Sequence, residues 1–565
     1  MRILLLCHAF NSLSQRVHAE LREAGHEVSV ELDISDEVTV QSVDLFKPDV
    51  LVAPFLKRKI PASVFSDVPC LIVHPGPPGD RGPAALDWAL LEGEDQWGVS
   101  IILATEELDG GPVMASKSFA MRDARKSSLY RLEVTEAAVA ALFEALGRVA
   151  RGEVGSPPPP GRWRDPVPAA RRRIDWARDD TETVLKKIRS ADGFPGVVDE
   201  FFGREVRLFN VQPEHELSGQ PGEWLARCHG AVCRATTDGA VWIDRLSEGG
   251  NQSFKRRATA VLGESISDLP ELPLVTEPEN PRGPVRYSEV GNVGMLEFDF
   301  YNGAMSTADC QALLAAYEEA TRRQTKIIVL AGGRDFWSNG MDLNAIEAAD
   351  SPPDESWANI QAIDDIAEAI IQTKSHLTVS AIGGNAAAGG VFLALAADEV
   401  WMRTGVVLNP HYKNMGNLYG SEYWTYLLPR RVGQDGIKAV MGHRLPMLAC
   451  EAERLGLVDR AGPSDRAEFD EFVLRQSQVL AEESLSERLS AKVEQRERDE
   501  VEKPLKAYRD AELERMRMNF YGFDPSYHVA RFRLVHRSPH AWTPLHLATH
   551  RARVAGGSSQ ENSPR

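Results

Sequence analysis

His74-Pro-Gly-Pro-Pro-Gly-Asp-Arg-Gly-Pro83, followed by Trp97-Gly-Val-Ser100 and Glu107-Leu-Asp-Gly-Gly111, is the stretch that decides how the first part of this chain is read. The apolar run Leu71–Val73 leads straight into His74, and the run Val99–Leu103 comes a few residues before Asp109. The glycines and prolines around His74 allow a tight backbone turn and close approach to a flat ligand. Outward from here the chain alternates two patterns up to about residue 150. Ile3–Cys7, Glu27–Leu32 and Asp49–Ala53 read as strands, and Gln15–Ala24 and a segment near Ala84–Leu91 as helices. Such alternation predicts a mostly parallel sheet flanked by helices. Ligands of open sheets bind beyond the carboxyl ends of strands. His74 stands directly at such a position and Asp109 follows another strand after a short loop. A histidine titrating near neutrality, oriented by a carboxylate, can move protons at a reacting carbonyl.

The chain has 565 residues, more than one hydrophobic core supports, so two to four domains are expected. Its formal charge of −18 argues against nucleic acid or a membrane surface as partner. No apolar run reaches the roughly 20 residues of a membrane span, and Met1-Arg-Ile-Leu-Leu-Leu-Cys7 reads as a buried strand rather than a leader. Cys228 and Cys233 have no second pair to complete a metal site, so no metal is expected, and scattered reduced thiols point to the cytoplasm. There is no phosphate-binding glycine motif after the first strand. Ser156-Pro-Pro-Pro-Pro-Gly161 reads as a stiff linker. Thr181–Arg189 follows as a helix, and Val206–Val211, Gly230–Thr236 and Ala240–Ile243 as strands of a small β domain. After a Pro-rich segment at Asp268–Pro284 a second α/β pattern begins. Val293–Phe298, Lys326–Ala331 and Leu377–Ile382 read as strands, and Ala308–Arg323, Ile363–Thr373 and Ala388–Ala397 as helices. Arg475–Met518 reads as a charged helical segment, a solvated surface or packing helix, and Gly556 onward as a disordered tail. The expected divisions are 1–160, 161–275, 276–550 and a tail 551–565.

The opening stretch resembles the active-site region of 10-formyltetrahydrofolate-dependent formyltransferases. That family shows Asn-x-His at a strand end, then Arg-Gly-x-x-Pro or similar, then Gly-Val-Thr-x, then Leu-Asp-x-Gly. The matching residues are Ile72-Val-His74, Arg81-Gly-Pro83, Gly98-Val-Ser-Ile101 and Leu108-Asp-Gly-Gly111. Ile188-Arg-Ser190 and Phe194-Pro-Gly196 resemble the family's small C-terminal domain. The resemblance implies a Rossmann-like sheet, a small OB-like β domain, His74 and Asp109 as catalytic residues, and Arg81, Gly82 and Pro83 at the folate. Ile72 stands where the family has asparagine. Loss of one such donor costs about 3 kcal/mol of transition-state stabilisation elsewhere, which implies compensation or a different acceptor.

Val329-Leu-Ala-Gly-Gly-Arg-Asp-Phe-Trp-Ser-Asn-Gly-Met-Asp-Leu343 and Ala381-Ile-Gly-Gly-Asn-Ala-Ala-Ala-Gly-Gly-Val-Phe392 resemble the two oxyanion-hole segments of the crotonase (enoyl-CoA hydratase/isomerase) family. The resemblance implies a ββα spiral, here with a helical C-terminal extension. It also implies an oxyanion hole from the N–H groups of Met341 and Gly389, and contact with coenzyme A at Gly332, Gly333, Gly340 and Gly390. Phe392 occupies the place of one hydratase glutamate, and the other falls near Pro410-His-Tyr412, so ordinary hydration is not expected. Tyr412 and Glu422 are the polar candidates for a different chemistry.

The two modules in one chain resemble the HypX/HoxX family of hydrogenase maturation factors. That resemblance implies formyl transfer from 10-formyltetrahydrofolate to coenzyme A and then decarbonylation of formyl-CoA to carbon monoxide for a [NiFe] hydrogenase, with one pantetheine arm serving both sites. Hydrogenase maturation proteins would be partners. Two alternatives stand beside it: a formyl-folate hydrolase that releases formate, and a crotonase-like half that only binds coenzyme A or docks to accessory proteins.

Overall fold

Arg2–Cys7, Val50–Phe55 and Cys70–His74 are almost continuously buried, the pattern of parallel strands covered on both faces. In the computed structural model, which describes residues 1–250, 253–277, 281–442, 444–482 and 485–552, they lie in a six-stranded sheet. Its order is Glu27–Leu32, Arg2–Cys7, Val50–Phe55, Cys70–His74, Gln96–Leu103, Val113–Ala120. Leu4, Leu6, Leu51 and Ala53 fill the core on one side. The sheet belongs to the first of two compact units, made of 1–175, 182–199 and the C-terminal segment from 539.

The first four strands are parallel, but Gln96–Leu103 runs antiparallel to Cys70–His74, with His74 opposite Ser100, and Val113–Ala120 continues antiparallel. This corrects the expectation for Asp109. Its strand ends beside Leu71, at the opposite end of the ladder from His74, so the loop from 104 to 112 must carry the acid back. Gly111 permits this, since a Cβ there would lie 1.8 Å from the Leu103 carbonyl oxygen.

The Pro-rich stretch does more than link. Residues Asp80–Arg81 pair in parallel with Arg162–Trp163, so the segment after the prolines straps the His74 loop. Gly161 packs on Gly79 and Gly82 on the Arg164 carbonyl, each closer than any Cβ tolerates. The C-terminal segment covers the edge strand Glu27–Leu32, the position at which an exposed sheet invites mispairing. Val30 N–H donates to the Leu547 carbonyl at 3.0 Å, Leu32 N–H to Thr543 Oγ1 at 2.8 Å, and Arg551 Nε to Glu31 at 2.7 Å. The expected tail from Gly556 lies outside the described residues.

The second unit is 176–181 with 200–538. Arg204–Glu214, Ala240–Glu248, Ala231–Ala235 and Trp224–Cys228 lie side by side in that order in an antiparallel sheet. Beyond it a third six-stranded sheet, after the small domain's own, runs Val285–Val290, Val293–Phe298, Ile327–Gly332, Leu377–Ile382, Glu399–Arg403, Arg460–Gly462, all parallel after the first hairpin. Short strands Phe336–Ser338, Asn385–Ala387 and Leu408–Asn409, each a few residues after a long one, build a small parallel sheet of their own. This is the spiral of strand pairs and helices. The expected helix Ala388–Ala397 is only Gly389–Ala394, because Ala388 takes φ 48° and cannot continue a helix backwards. The charged C-terminal region divides into Arg466–Glu482, Leu485–Glu502 and Leu505–Tyr521. The last of them is a packing helix, with Glu512, Met516 and Phe520 buried. Among the described residues no helix is long and apolar enough to cross a membrane.

The strap yields a stability test. Gly161→Ala should destabilise the first unit by about 1–3 kcal/mol, an overpacking cost, and lower its melting transition. Gly147→Ala, in the helix Thr135–Ala150 with nothing nearer than 3.6 Å to its new Cβ, should stabilise by about 0.5–1 kcal/mol. Thermal melting of both variants checks the contrast.

Candidate active sites

In the first unit a cavity of about 820 Å³ is lined by His74, Asp109, Gly82, Pro83, Ile72 and Lys126, among others. His74 ends its strand and is buried. Its Nδ1 lies 3.8 Å from Asp109 Oδ1, and Asp109 Oδ2 accepts from Gly82 N–H at 3.0 Å. Asp109 sits at φ 52° and Gly82 at φ 114°, so the glycine allows the loop to bend and cap the acid. The structure brings His74, Asp109, Gly82 and Pro83 to one cavity. Arg81 itself is not part of the lining, but its guanidinium pairs with Glu107 and donates to the Leu108 carbonyl at 3.2 Å, and both of those residues line the cavity. Ile72 does face the cavity, as an apolar wall where the family has an amide.

Two features here were not foreseen. Asp80 Oδ2 lies 3.0 Å from His74 Nε2 and its other oxygen 3.2 Å from Arg164 Nε. Asp80 was visible in the opening motif, but nothing in a one-dimensional pattern shows which loop residue folds back. Lys126 is the other. Its amine donates to Asp87 at 2.9 Å and to the Phe194 carbonyl at 2.6 Å. Burial presses its pKa down, against the pull of Asp87.

In the second unit a pocket of about 50 Å³ is lined by Gly340, Met341, Gly389, Tyr412, Glu422 and Met516, among others. A space of that size holds a group of a few heavy atoms. Gly340 and Gly389 adjoin: a Cβ on the first would lie 3.4 Å from the nitrogen of the second. Met305 bridges Gly340 O and Asp342 N–H, which turns the Met341 N–H the other way. Among the described residues no backbone carbonyl takes the N–H of Met341 or Gly389. Gly332, Gly333 and Gly390 do not line the pocket. They pack against Trp337, Asp299 and the Ser338 carbonyl.

Tyr412 donates to Glu422 Oε2 at 2.6 Å. Phe392, in place of the hydratase glutamate, stacks on Tyr412 with ring centroids 5.3 Å apart. A carboxylate therefore returns to this site from another part of the chain, and a Cβ on Gly389 would meet its Oε1 at 2.0 Å. Glu422 and Tyr423 both have φ near 60°, a cost of about 1–3 kcal/mol each for such residues. Two acids offset it. Asp364 accepts from Glu422 N–H at 2.8 Å and from Ser421 Oγ at 2.8 Å. Glu512 accepts from the N–H groups of Tyr423 at 3.0 Å and Thr425 at 2.8 Å. Asp364 was legible as an acid on the buried face of Pro352–Gln372, between Ile363 and Ile366. Glu512, inside a charged run, carried no signal. Burial, with mutual repulsion, raises Asp364 to about 7 and Glu422 and Glu512 to about 8, and lifts Tyr412 far above its ordinary range.

Family models match for "Formyl transferase" over residues 14–146, its C-terminal domain over 167–260, and "Enoyl-CoA hydratase/isomerase" over 295–522. The chain is 54% identical over 562 residues to the hydrogenase maturation factor HoxX of Bradyrhizobium diazoefficiens, covering 99% of this chain and 98% of that protein. A methionyl-tRNA formyltransferase of Carboxydothermus hydrogenoformans matches 41% of the chain at 24% identity, covering 79% of its own length. The crystal structure of HypX from Aquifex aeolicus with tetrahydrofolic acid superposes with TM-score 0.95 at 48% identity, covering 98% of this chain and 99% of that one.

The acid cluster makes stability depend on pH. An acid whose pKa is higher folded than unfolded binds more protons in the folded state, so its contribution is full below about pH 4 and is lost as pH rises through 7 to 8. The second unit should melt progressively lower from pH 5 to pH 9. Glu422→Gln, which cannot ionise, should flatten that slope, so that its melting temperature gains on the parent's as pH rises. Melting curves across that range check the sign.

Proposed function

The chain belongs to the HypX/HoxX family of hydrogenase maturation factors, and on that premise we propose that it makes carbon monoxide from a folate-borne formyl group in two steps. In the first, His74 takes the proton of the coenzyme A thiol. The sulfur attacks the formyl carbon of 10-formyltetrahydrofolate, the carbon–nitrogen bond breaks, and the folate nitrogen receives the proton from His74. Asp109 stands beside the imidazole on the cavity side, 3.8 Å from Nδ1, where its charge faces the imidazolium that forms. A thiol has an ordinary pKa of about 8.5 and is a strong nucleophile once ionised, which suits a site where Ile72 has removed one amide donor. The family's likeness to a HypX that holds tetrahydrofolic acid supports folate as the donor. Coenzyme A as acceptor rests on the crotonase-like half.

In the second step formyl-CoA gives carbon monoxide and coenzyme A: the C–S bond breaks, the formyl hydrogen leaves as a proton, and the thiolate sulfur gains one. The single observation that carries this reading is the buried Tyr412–Glu422 pair standing over Gly389. The pair would serve as a proton carrier, with Glu422 pushed up to about 8 by burial, beside the N–H groups we assign to the carbonyl oxygen. The 50 Å³ pocket suits a one-carbon group better than a longer acyl chain. We read the chain's three parts as a formyl-transfer domain, its small companion and a decarbonylating domain, divided near 160 and 275. The setting is the cytoplasm and the product serves hydrogenase maturation proteins.

With 10-formyltetrahydrofolate labelled in the formyl carbon and coenzyme A present, label is expected in carbon monoxide. Label confined to formate would favour a hydrolase. Tyr412→Phe and Glu422→Gln should lower carbon monoxide formation by about 10²-fold or more, the scale of lost proton transfer, while formyl-CoA accumulates. Full yield from both variants would leave the second unit a binding or docking module.

A further inference from the structure

The proposed chemistry leaves the second carboxylate at His74 without a role. Asp80 lies behind the imidazole: it contacts Nε2 at 3.0 Å, its side chain is 4% exposed, and it is not part of the cavity lining. A carboxylate only accepts hydrogen bonds, so the hydrogen of this contact belongs to Nε2. The other nitrogen, Nδ1, is then the one on the side of Asp109, which does line the cavity and stands 3.8 Å away. That distance exceeds a hydrogen bond, so Nδ1 is not committed to Asp109.

Three structural features keep Asp80 in this place. Gly76 is obligatory beneath the pair, since a Cβ there would lie 2.4 Å from Asp80 Oδ2 and 2.7 Å from His74 Nε2. Arg164 faces the opposite oxygen, Oδ1, at 3.2 Å. The strap that carries Arg164 is stitched to the loop on both sides of Asp80, with Arg162 N–H donating to the Gly79 carbonyl at 3.2 Å and Arg164 N–H to the Arg81 carbonyl at 2.8 Å. Arg164 is itself steadied by Glu92 and by the face of Trp97.

We propose that Asp80 is a positioning residue that fixes His74 as its Nε2–H tautomer, leaving Nδ1 to exchange the proton of the acceptor thiol, and that Arg164 on the Pro-rich strap holds Asp80 in register. This rests on the reading that His74 moves the proton in formyl transfer. In that step Nδ1 takes the thiol proton, the sulfur–carbon bond forms, the carbon–nitrogen bond breaks, and the Nδ1 proton passes to the folate nitrogen. Asp80 takes no proton. Its charge faces the imidazolium present between the two transfers, as buried carboxylates do for catalytic histidines of other folds. The arrangement supplies a fixed partner for His74 in a site where Ile72 has replaced the amide.

The test uses the full-length protein with 10-formyltetrahydrofolate and coenzyme A, following release of tetrahydrofolate. Asp80→Asn, nearly isosteric, should lower kcat by about 10²-fold or more, within the range lost when a general base is mis-set. Its KM for the folate and its affinity for tetrahydrofolate should stay within about twofold of the parent, because Asp80 does not touch the cavity. Nitrogen-15 NMR of the His74 ring should show the hydrogen on Nε2 in the parent and a loss of that preference in the variant. Arg164→Gln, with Asp80 in place, should give a smaller fall in kcat with KM again unchanged. A kcat within threefold of the parent in Asp80→Asn overturns the proposal, and so does loss of tetrahydrofolate binding, which would make Asp80 a structural support of the cavity. His74→Gln separates the two readings. If it keeps formyl transfer, the chemistry assigned to His74 fails. If it loses transfer while Asp80→Asn keeps it, only the role of Asp80 fails.

Discussion

A carboxyl group buried without a cation beside it is held by collecting hydrogen bonds and by a raised pKa; Glu422 collects two, and burial pushes it up to about 8. Its oxygen accepts from Tyr412 and from Ser421 N–H, while its own N–H is held by Asp364. The consequence spreads outward. A pair of left-handed residues, Glu422 and Tyr423, aims the carboxyl at Gly389, and that turn persists because Asp364 and Glu512 bind its amides. Arg509 stands near this cluster, 3.9 Å from Asp364, and pairs with Asp365 and Glu368. The site therefore depends on helix Leu505–Tyr521, which supplies both Glu512 and Arg509, as much as on the spiral of strands.

The first unit solves a similar problem by different means. There the imidazole is the buried group, and carboxylates occupy the space next to each of its nitrogens. The turn that carries Asp80 is shaped by glycines packed against backbone, and a second strand of the chain closes over it. In the first unit the loop packed behind His74, and in the second the turn that carries Glu422, take conformations imposed by elements remote in sequence. Such over-determination is what lets strained or desolvated groups hold a single geometry.

What the sequence disclosed follows the same line. Strands buried on both faces, such as Cys70–His74 and Leu377–Ile382, are legible because their apolar runs are local facts. So are His74 and Asp109, each fixed within a short motif. The direction of Gln96–Leu103 was not legible, because a strand's pattern is the same read in either sense and only pairing reveals it. The Glu107 partner of Arg81 was not legible, because a cation beside Gly82 is equally suited to a ligand and to a carboxylate 26 positions onward. Glu512 was hidden inside a helix whose many charges read as solvent-facing, and Asp80 inside a loop whose fold depends on residues 80 positions onward. Interactions between distant segments leave little trace in a linear pattern, and the proposed chemistry lies where such segments meet.

The most direct test of the central claim bypasses folate. Formyl-CoA is supplied to the full-length protein, and headspace carbon monoxide is measured against free coenzyme A. The account predicts the two in equal amounts, with no folate required. Formate and coenzyme A without carbon monoxide, or formyl-CoA left intact, would contradict it.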